Sequence, residues 1–238
     1  MARGSGFTFK QFYIDHSRCA MKVGTDGTLL GAWVRLPDTT RSILDIGTGS
    51  GLIAIMTAQR SSEAHITAID IDADCVAQAR LNAEASPWSD RISVLHTSLQ
   101  DFTTEERFDV IVSNPPYFID SLTSPDAGRT TARHTATLPF EELVSGVKRL
   151  LAPDGRFSLI LPTAEAQRFI SAARGVLFLS RRCDVKPKPS SDVKRVMMEF
   201  SLSPQLPPTA EQLTIESDTH HDYTDAYRTL TQDFYLKM

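Results

Sequence analysis

The stretch from Ser42 to Arg60 restricts the fold more than any other part of the chain. The strand-like run Ser42-Ile43-Leu44-Asp45-Ile46 breaks at three glycines, Gly47, Gly49 and Gly51, and resumes as the helix-forming segment Leu52 to Arg60. A strand that ends in glycines and feeds a helix opens a βαβ unit, which commits the chain to a parallel sheet covered by helices. The alternation continues downstream. His65 to Asp70, Ile92 to His96 and Phe108 to Ser113 read as strands. Asp72 caps a helix through Ala85, and Pro139 starts another that runs to Leu151. Pro153-Asp154-Gly155 reads as a turn into the strand Arg156 to Leu161, and Ala164 to Arg174 as a helix closed by Gly175. Two strands then follow without a helix between them, Phe178 to Val185 and Val193 to Leu202, which makes them antiparallel neighbours.

The expected architecture is a single α/β domain with a Rossmann-like, seven-stranded sheet. It is mostly parallel, with one antiparallel strand near the end and helices on both faces. Residues 1–40 form an N-terminal segment, 41–203 the core and 204–238 an acidic extension. No apolar run reaches the roughly 18 residues of a membrane helix, and the first residues lack a secretory signal, so a soluble, cytoplasmic, monomeric protein is expected. Cys19, Cys75 and Cys183 are far apart, odd in number and without metal or redox spacing, and read as small buried residues. His220-His221 has no further ligands nearby, so no metal is assigned.

The net charge of -4 hides a polarity along the chain. Arg181, Arg182, Lys186, Lys188, Lys194 and Arg195 crowd one stretch against Asp184 and Asp192, whereas Glu211 to Asp233 is acidic. Two solvated faces would explain this as well as a binding surface would.

In Asp45-Ile46-Gly47-Thr48-Gly49-Ser50-Gly51, glycines let a ligand approach the backbone at the end of a strand. A dinucleotide fingerprint needs its third glycine at position 52, which is Leu52, so a pyrophosphate reading weakens. Asp45 beside the turn suits a cationic ligand such as the ammonium and sulfonium of S-adenosyl-L-methionine. Asp70, ending the second strand, is placed to accept from ribose hydroxyls, and Ser98-Leu99 lies where an adenine ring would rest.

Ser113-Asn114-Pro115-Pro116-Tyr117-Phe118 follows the fourth strand. Its prolines fix φ and leave carbonyls free to accept. A planar amino group awaiting a methyl needs two acceptors for its hydrogens, and the Asn114 amide oxygen and Pro115 carbonyl supply them. Tyr117, or less directly Phe118, would stack on the target ring.

With these residues the chain resembles the Asn-Pro-Pro-Tyr amino methyltransferases, and more closely the bacterial tRNA1(Val) (adenine-N6)-methyltransferase family. The most specific likeness is Phe7-Thr8-Phe9-Lys10-Gln11-Phe12 together with the segment from Met21-Lys22-Val23-Gly24-Thr25-Asp26 to Trp33. The resemblance implies S-adenosyl-L-methionine as cofactor and, as substrate, tRNA at the adenine 3′ of the anticodon. It also implies that the N-terminal segment covers the cofactor, with Lys22, Gly24 and Thr25 near its methionine end. Many members carry an acid where Ser98 stands. Arg129 and Arg133-His134 would face substrate, and Lys186, Lys188, Lys194 and Arg195 would contact phosphates. Alternatives remain open: a glutamine amide in a release factor, a small-molecule amine, or a non-catalytic RNA-binding module on the same fold. Only about forty residues precede the first strand, fewer than the helical domain expected of the glutamine enzymes.

Overall fold

Eight strands share one sheet in the computed structural model, which describes residues 6–116, 138–204, 207–219 and 221–237. They are β3 (Ser42–Ile46), β4 (His65–Asp70), β5 (Ile92–His96), β6 (Phe108–Ser113), β7 (Leu151–Pro162), β8 (Phe178–Lys186), β9 (Arg195–Ser201) and β10 (Thr209–Thr214). Their order is β10-β8-β9-β7-β6-β3-β4-β5. β9 runs antiparallel to β7 and β8, and the other pairings are parallel. A separate hairpin, β1 (Gly6–Thr8) with β2 (Tyr13–Asp15), precedes the sheet.

Every residue of β3 is buried, because helices cover both faces. One face packs on α1 (Thr25–Trp33), α2 (Leu52–Arg60), α3 (Ala73–Glu84) and α6 (Asp225–Thr231), through Leu30, Ile53, Ala79 and Tyr227 among others. The opposite face takes α4 (Phe140–Leu150) and α5 (Thr163–Ala173), with Leu143, Val147 and Phe169 inserted against Leu44, Ile111 and Leu159. The seven strands expected from the sequence are all present.

Two local expectations are corrected. The extension contributes an eighth strand, β10, which pairs in parallel with β8 and covers its edge. Glu211 anchors it: both carboxylate oxygens accept from the Arg181 guanidinium at 2.8 and 3.0 Å, and Trp33 Nε1 donates to it at 3.1 Å. The Arg181 guanidinium also stacks 4.0 Å from the Trp33 ring. Secondly, Pro153-Asp154-Gly155 is an irregularity inside β7 rather than a turn before it, since Leu151 already pairs with Phe108. Gly155 permits this: a Cβ there would meet the Phe108 carbonyl at 2.9 Å.

The N-terminal arm packs on the chain's other end. Phe9 and Phe12 stack at 4.6 Å, bury against Phe234, and are joined by Lys10 N–H donating to the Phe234 carbonyl at 2.7 Å. Lys10 Nζ donates to the Gln232 carbonyl at 2.5 Å. Among the described residues, no helix is long and apolar enough to cross a membrane.

Candidate active site

Strands β6, β3 and β4 are neighbours, and their carboxyl ends bring Ser113, Ile46 and Asp70 to one edge. Gly47, Gly49 and Gly51 sit at φ of 71°, 56° and 82°, which penalises any side chain. A Cβ at Gly47 or Gly49 would meet nothing within 4 Å, so conformation and not crowding demands glycine there. The turn spends its amides internally. Gly47 and Thr48 N–H donate to the Ile69 carbonyl, Gly51 N–H to the Thr48 carbonyl, and Gly49 N–H to Asp70 Oδ2. Those four groups are therefore committed, which disfavours the amide cradle a pyrophosphate needs.

Asp45 lies beneath this turn, fully buried, and accepts from Thr48 Oγ1 at 2.7 Å on one oxygen. Its other oxygen, Oδ1, has no partner among the described residues. Burial pushes its carboxyl up to about 7, opposed by the Thr48 hydrogen bond and reinforced by Asp70.

A cavity of about 280 Å³ opens above the turn, bordered by Gly47, Gly49, Asp70, Ser98, Leu99, Asn114 and Pro115. Asp70 is oriented by two backbone donors, Gly49 N–H at 2.8 Å on Oδ2 and Asp72 N–H at 2.9 Å on Oδ1. Each oxygen keeps acceptor capacity for a further hydroxyl. Ser98 Oγ donates to Asp101 Oδ2 at 2.6 Å, so a carboxylate stands one contact away from the position where an acid was expected. Arg149 fixes this wall by donating to the Leu99 and Phe102 carbonyls, both at 2.8 Å.

Asn114 borders the same cavity with Oδ1 buried and unpartnered among the described residues. The preceding Ser113 ties β6 to β3 through Oγ donating to the Ile46 carbonyl at 2.8 Å. Tyr117, Phe118, Arg129, Arg133 and His134 lie outside the described residues.

Lys22, Gly24, Thr25, Asp45 and Gly51 do not border the cavity; Cys19, Ala20 and Met21 do. Lys22 Nζ instead donates to the His16 carbonyl at 2.9 Å, Gly24 is the N-cap of α1, and Gly51 caps α2. The wall also includes Cys75, in the first turn of α3, which sequence reasoning set aside along with Cys19. The two come to one wall because the segment that leaves β2 bends along one face of α3. Asp15 N–H donates to Asn82 Oδ1 at 3.0 Å and Ser17 Oγ to Gln78 Oε1 at 3.2 Å. Positions 15 and 17 thus face helical positions 82 and 78, and Cys19 and Cys75 follow as neighbours in the wall of one cavity. The neighbouring Cys75 side chain holds the Cys19 thiol below its usual range, and Cys75 is raised in turn. The polar i, i+3, i+7 face of Cys75, Gln78 and Asn82 was the signal available in the sequence.

The basic hairpin rises from the same edge, since β8 runs parallel to β7 and ends at Lys186. Arg195 pairs across the sheet with Pro162, two strand spacings or about 10 Å from β6. Its Nε donates to Asp26 Oδ2 at 2.7 Å, tying β9 to the start of α1. Lys188 Nζ reaches the Asp218 carbonyl at 3.4 Å. Arg181 is turned to Glu211 and Arg182 to Asp184, so part of the charge polarity is satisfied internally.

The methyltransferase small domain family model matches residues 23–168. Over 233 residues the chain is 52% identical to the tRNA1(Val) (adenine(37)-N6)-methyltransferase of Phocaeicola vulgatus, covering 98% of each. A protein of the same name from Parabacteroides distasonis is 47% identical over 235 residues, again with 98% of each covered. The chain belongs to the tRNA1(Val) (adenine(37)-N6)-methyltransferase family. The fold of this methyltransferase recurs in the crystal structure of a predicted O-methyltransferase from Agrobacterium tumefaciens, with TM-score 0.70, 21% identity, and 88% and 96% of the two chains covered.

The cavity of this methyltransferase fits S-adenosyl-L-methionine on its own chemistry. Asp70 offers acceptors for a ribose. Met21 and Ile71, both 56% exposed, give the mouth an apolar rim. The unpartnered Asn114 Oδ1 supplies a buried acceptor at the other end of the wall. Among the described residues no group of three or more potential ligands could hold a metal ion.

Proposed function

We propose that this protein methylates the exocyclic N6 of an adenine in tRNA, at the position 3′ of the anticodon in tRNA1(Val), using S-adenosyl-L-methionine, and that it acts in the cytoplasm as a monomer. The observation that carries this reading is Asn114 Oδ1, an acceptor buried without a partner among the described residues, at the end of a strand beside the cavity. Leaving such an atom unpaired costs on the order of 1–3 kcal/mol, a cost removed when an amino group arrives. Bound S-adenosyl-L-methionine supplies an electrophilic methyl group. Asn114 Oδ1 and the Pro115 carbonyl accept the two hydrogens of the amino group and so turn its lone pair toward that methyl. No strong base is needed, because the nitrogen becomes cationic only as it is methylated and sheds its proton afterwards. Asp70 accepts from the ribose of the donor. Tyr117 stacks on the target base, and Lys186, Lys188 and Lys194 on the same sheet edge draw the anticodon loop in by its phosphates.

The names carried by relatives at 47–52% identity support the tRNA substrate over a release-factor glutamine. The test supplies methyl-labelled S-adenosyl-L-methionine with unmodified bulk tRNA and, separately, with release factor, followed by nucleoside analysis. Label is expected in N6-methyladenosine from tRNA. Label confined to the release factor would overturn the assignment.

A further inference from the structure

We propose that Cys19 and Cys75 are a redox-responsive pair which a hydroperoxide converts to a disulfide, fixing the Cys19–Met21 wall onto α3 and weakening binding of the methyl donor. The disulfide rests on the packing alone, whereas its effect on the donor rests on the cavity being the donor's site.

The pairing follows from packing. Asp15 and Asn82 exchange two hydrogen bonds, at 3.0 and 2.7 Å, and Ser17 meets Gln78 two residues later. The chain leaves its strand at Asp15 and bends at Ser17 and Arg18 against Gln78, one helical turn from Cys75, and Cys19 and Cys75 then line the same cavity. Cys19 N–H donates to the His16 carbonyl, which closes that bend. Both cysteines are buried from bulk solvent, yet both border the cavity, so a reagent the size of hydrogen peroxide reaches them from within. Cys75 also sits in the first turn of α3, where the helix dipole favours a thiolate nearby and the carboxylates of Asp70 and Asp72 oppose it.

The chemistry balances with a hydroperoxide as the single oxidant. The Cys19 thiolate attacks a peroxide oxygen, the O–O bond breaks, and sulfenic acid and hydroxide result. The Cys75 sulfur then attacks the Cys19 sulfur, the S–O bond breaks, and the S–S bond forms. The protons released convert both hydroxides to water. Two thiols are oxidised by two electrons and one peroxide is reduced. A dithiol reverses the step by exchange. Bond formation draws the sulfurs to about 2.05 Å. α3 is held by Val76, Ala79 and Ala83 in the core, so the bent segment moves, and Ala20 and Met21 move with it.

The test treats the full-length protein with hydrogen peroxide, maps disulfides by peptide mass spectrometry, and titrates S-adenosylhomocysteine by calorimetry. A Cys19–Cys75 peptide lighter by two hydrogens is expected, with affinity falling on the order of tenfold and recovering with dithiothreitol. Cys183, buried apart from the pair with its thiol pushed up to about 12, should stay reduced. In Cys75→Ser the affinity should be the same before and after peroxide. Thiols that persist, or oxidise without linking, would overturn the pair. A disulfide that leaves affinity unchanged would overturn the gate. Reduced protein that never binds S-adenosylhomocysteine would instead overturn the cavity's assignment, while the peptide map still decides the disulfide.

Discussion

Asn114 holds a buried amide oxygen that the described structure leaves unsatisfied, and such atoms are retained against stability when chemistry needs them. Asn114→Ala should therefore lower kcat for tRNA methylation by about 10²–10³-fold while leaving the unfolding free energy equal or higher, as checked by single-turnover assays and denaturant titration. A purely structural asparagine would give the opposite pattern, with stability lost. Asp45 makes a second prediction through its protonation. Its folded-state pKa, raised to about 7 by burial, exceeds the unfolded value, so the native state holds the proton more tightly. The stabilisation this gives is fully present below about pH 4 and is lost as pH rises to about 7, on the order of 4 kcal/mol across that window. Relative to Asp45→Asn, wild-type stability should fall over this range and then level off, which thermal denaturation of the two proteins at matched pH will show.

The glycine turn carries a graded prediction. Gly47→Ala should cost about 1–2 kcal/mol for its positive φ alone. Gly51→Ala should cost more, because its Cβ would also press on Ala79 Cβ at 3.3 Å; urea midpoints of the two variants test the ranking. These elements were legible in the sequence because their physics is local. β3 is buried throughout and carries Ile43, Leu44 and Ile46 since both its faces are covered, and glycines mark the backbone that only they tolerate. β10 was not legible, because among its six residues only Leu213 is fully buried, and its anchor is Glu211 on Arg181, thirty residues away. Nor were Cys19 and Cys75, whose proximity depends on how a bent segment lies against a helix. The cavity wall shows the same limit: likeness to the family pointed to Lys22, Gly24 and Thr25, but the chain bends so that Cys19 to Met21 line it.

Charge and connectivity act over longer distances. Lys186, Lys188 and Lys194 extend the catalytic edge with positive charge, although the net charge is -4, so tRNA affinity should fall steeply with added salt. Replacing all three with Ala should reduce the slope of log K against log salt by up to about 2 without altering S-adenosylhomocysteine binding, read by fluorescence titration and calorimetry. The arm and the tail complete one another: Phe9 and Phe12 bury against Phe234, and Lys10 bonds to Gln232 and Phe234. That junction sets an order of events during synthesis. A nascent chain can assemble its sheet as strands emerge from the ribosome, with Phe12 already packed on Trp88, but its opening aromatic residues lack their last partners until Phe234 and Tyr235 have been added. The arm leads directly into the segment bordering the cavity, so competence to accept a methyl donor arrives late in translation, and a polypeptide released early is left with a frayed pocket.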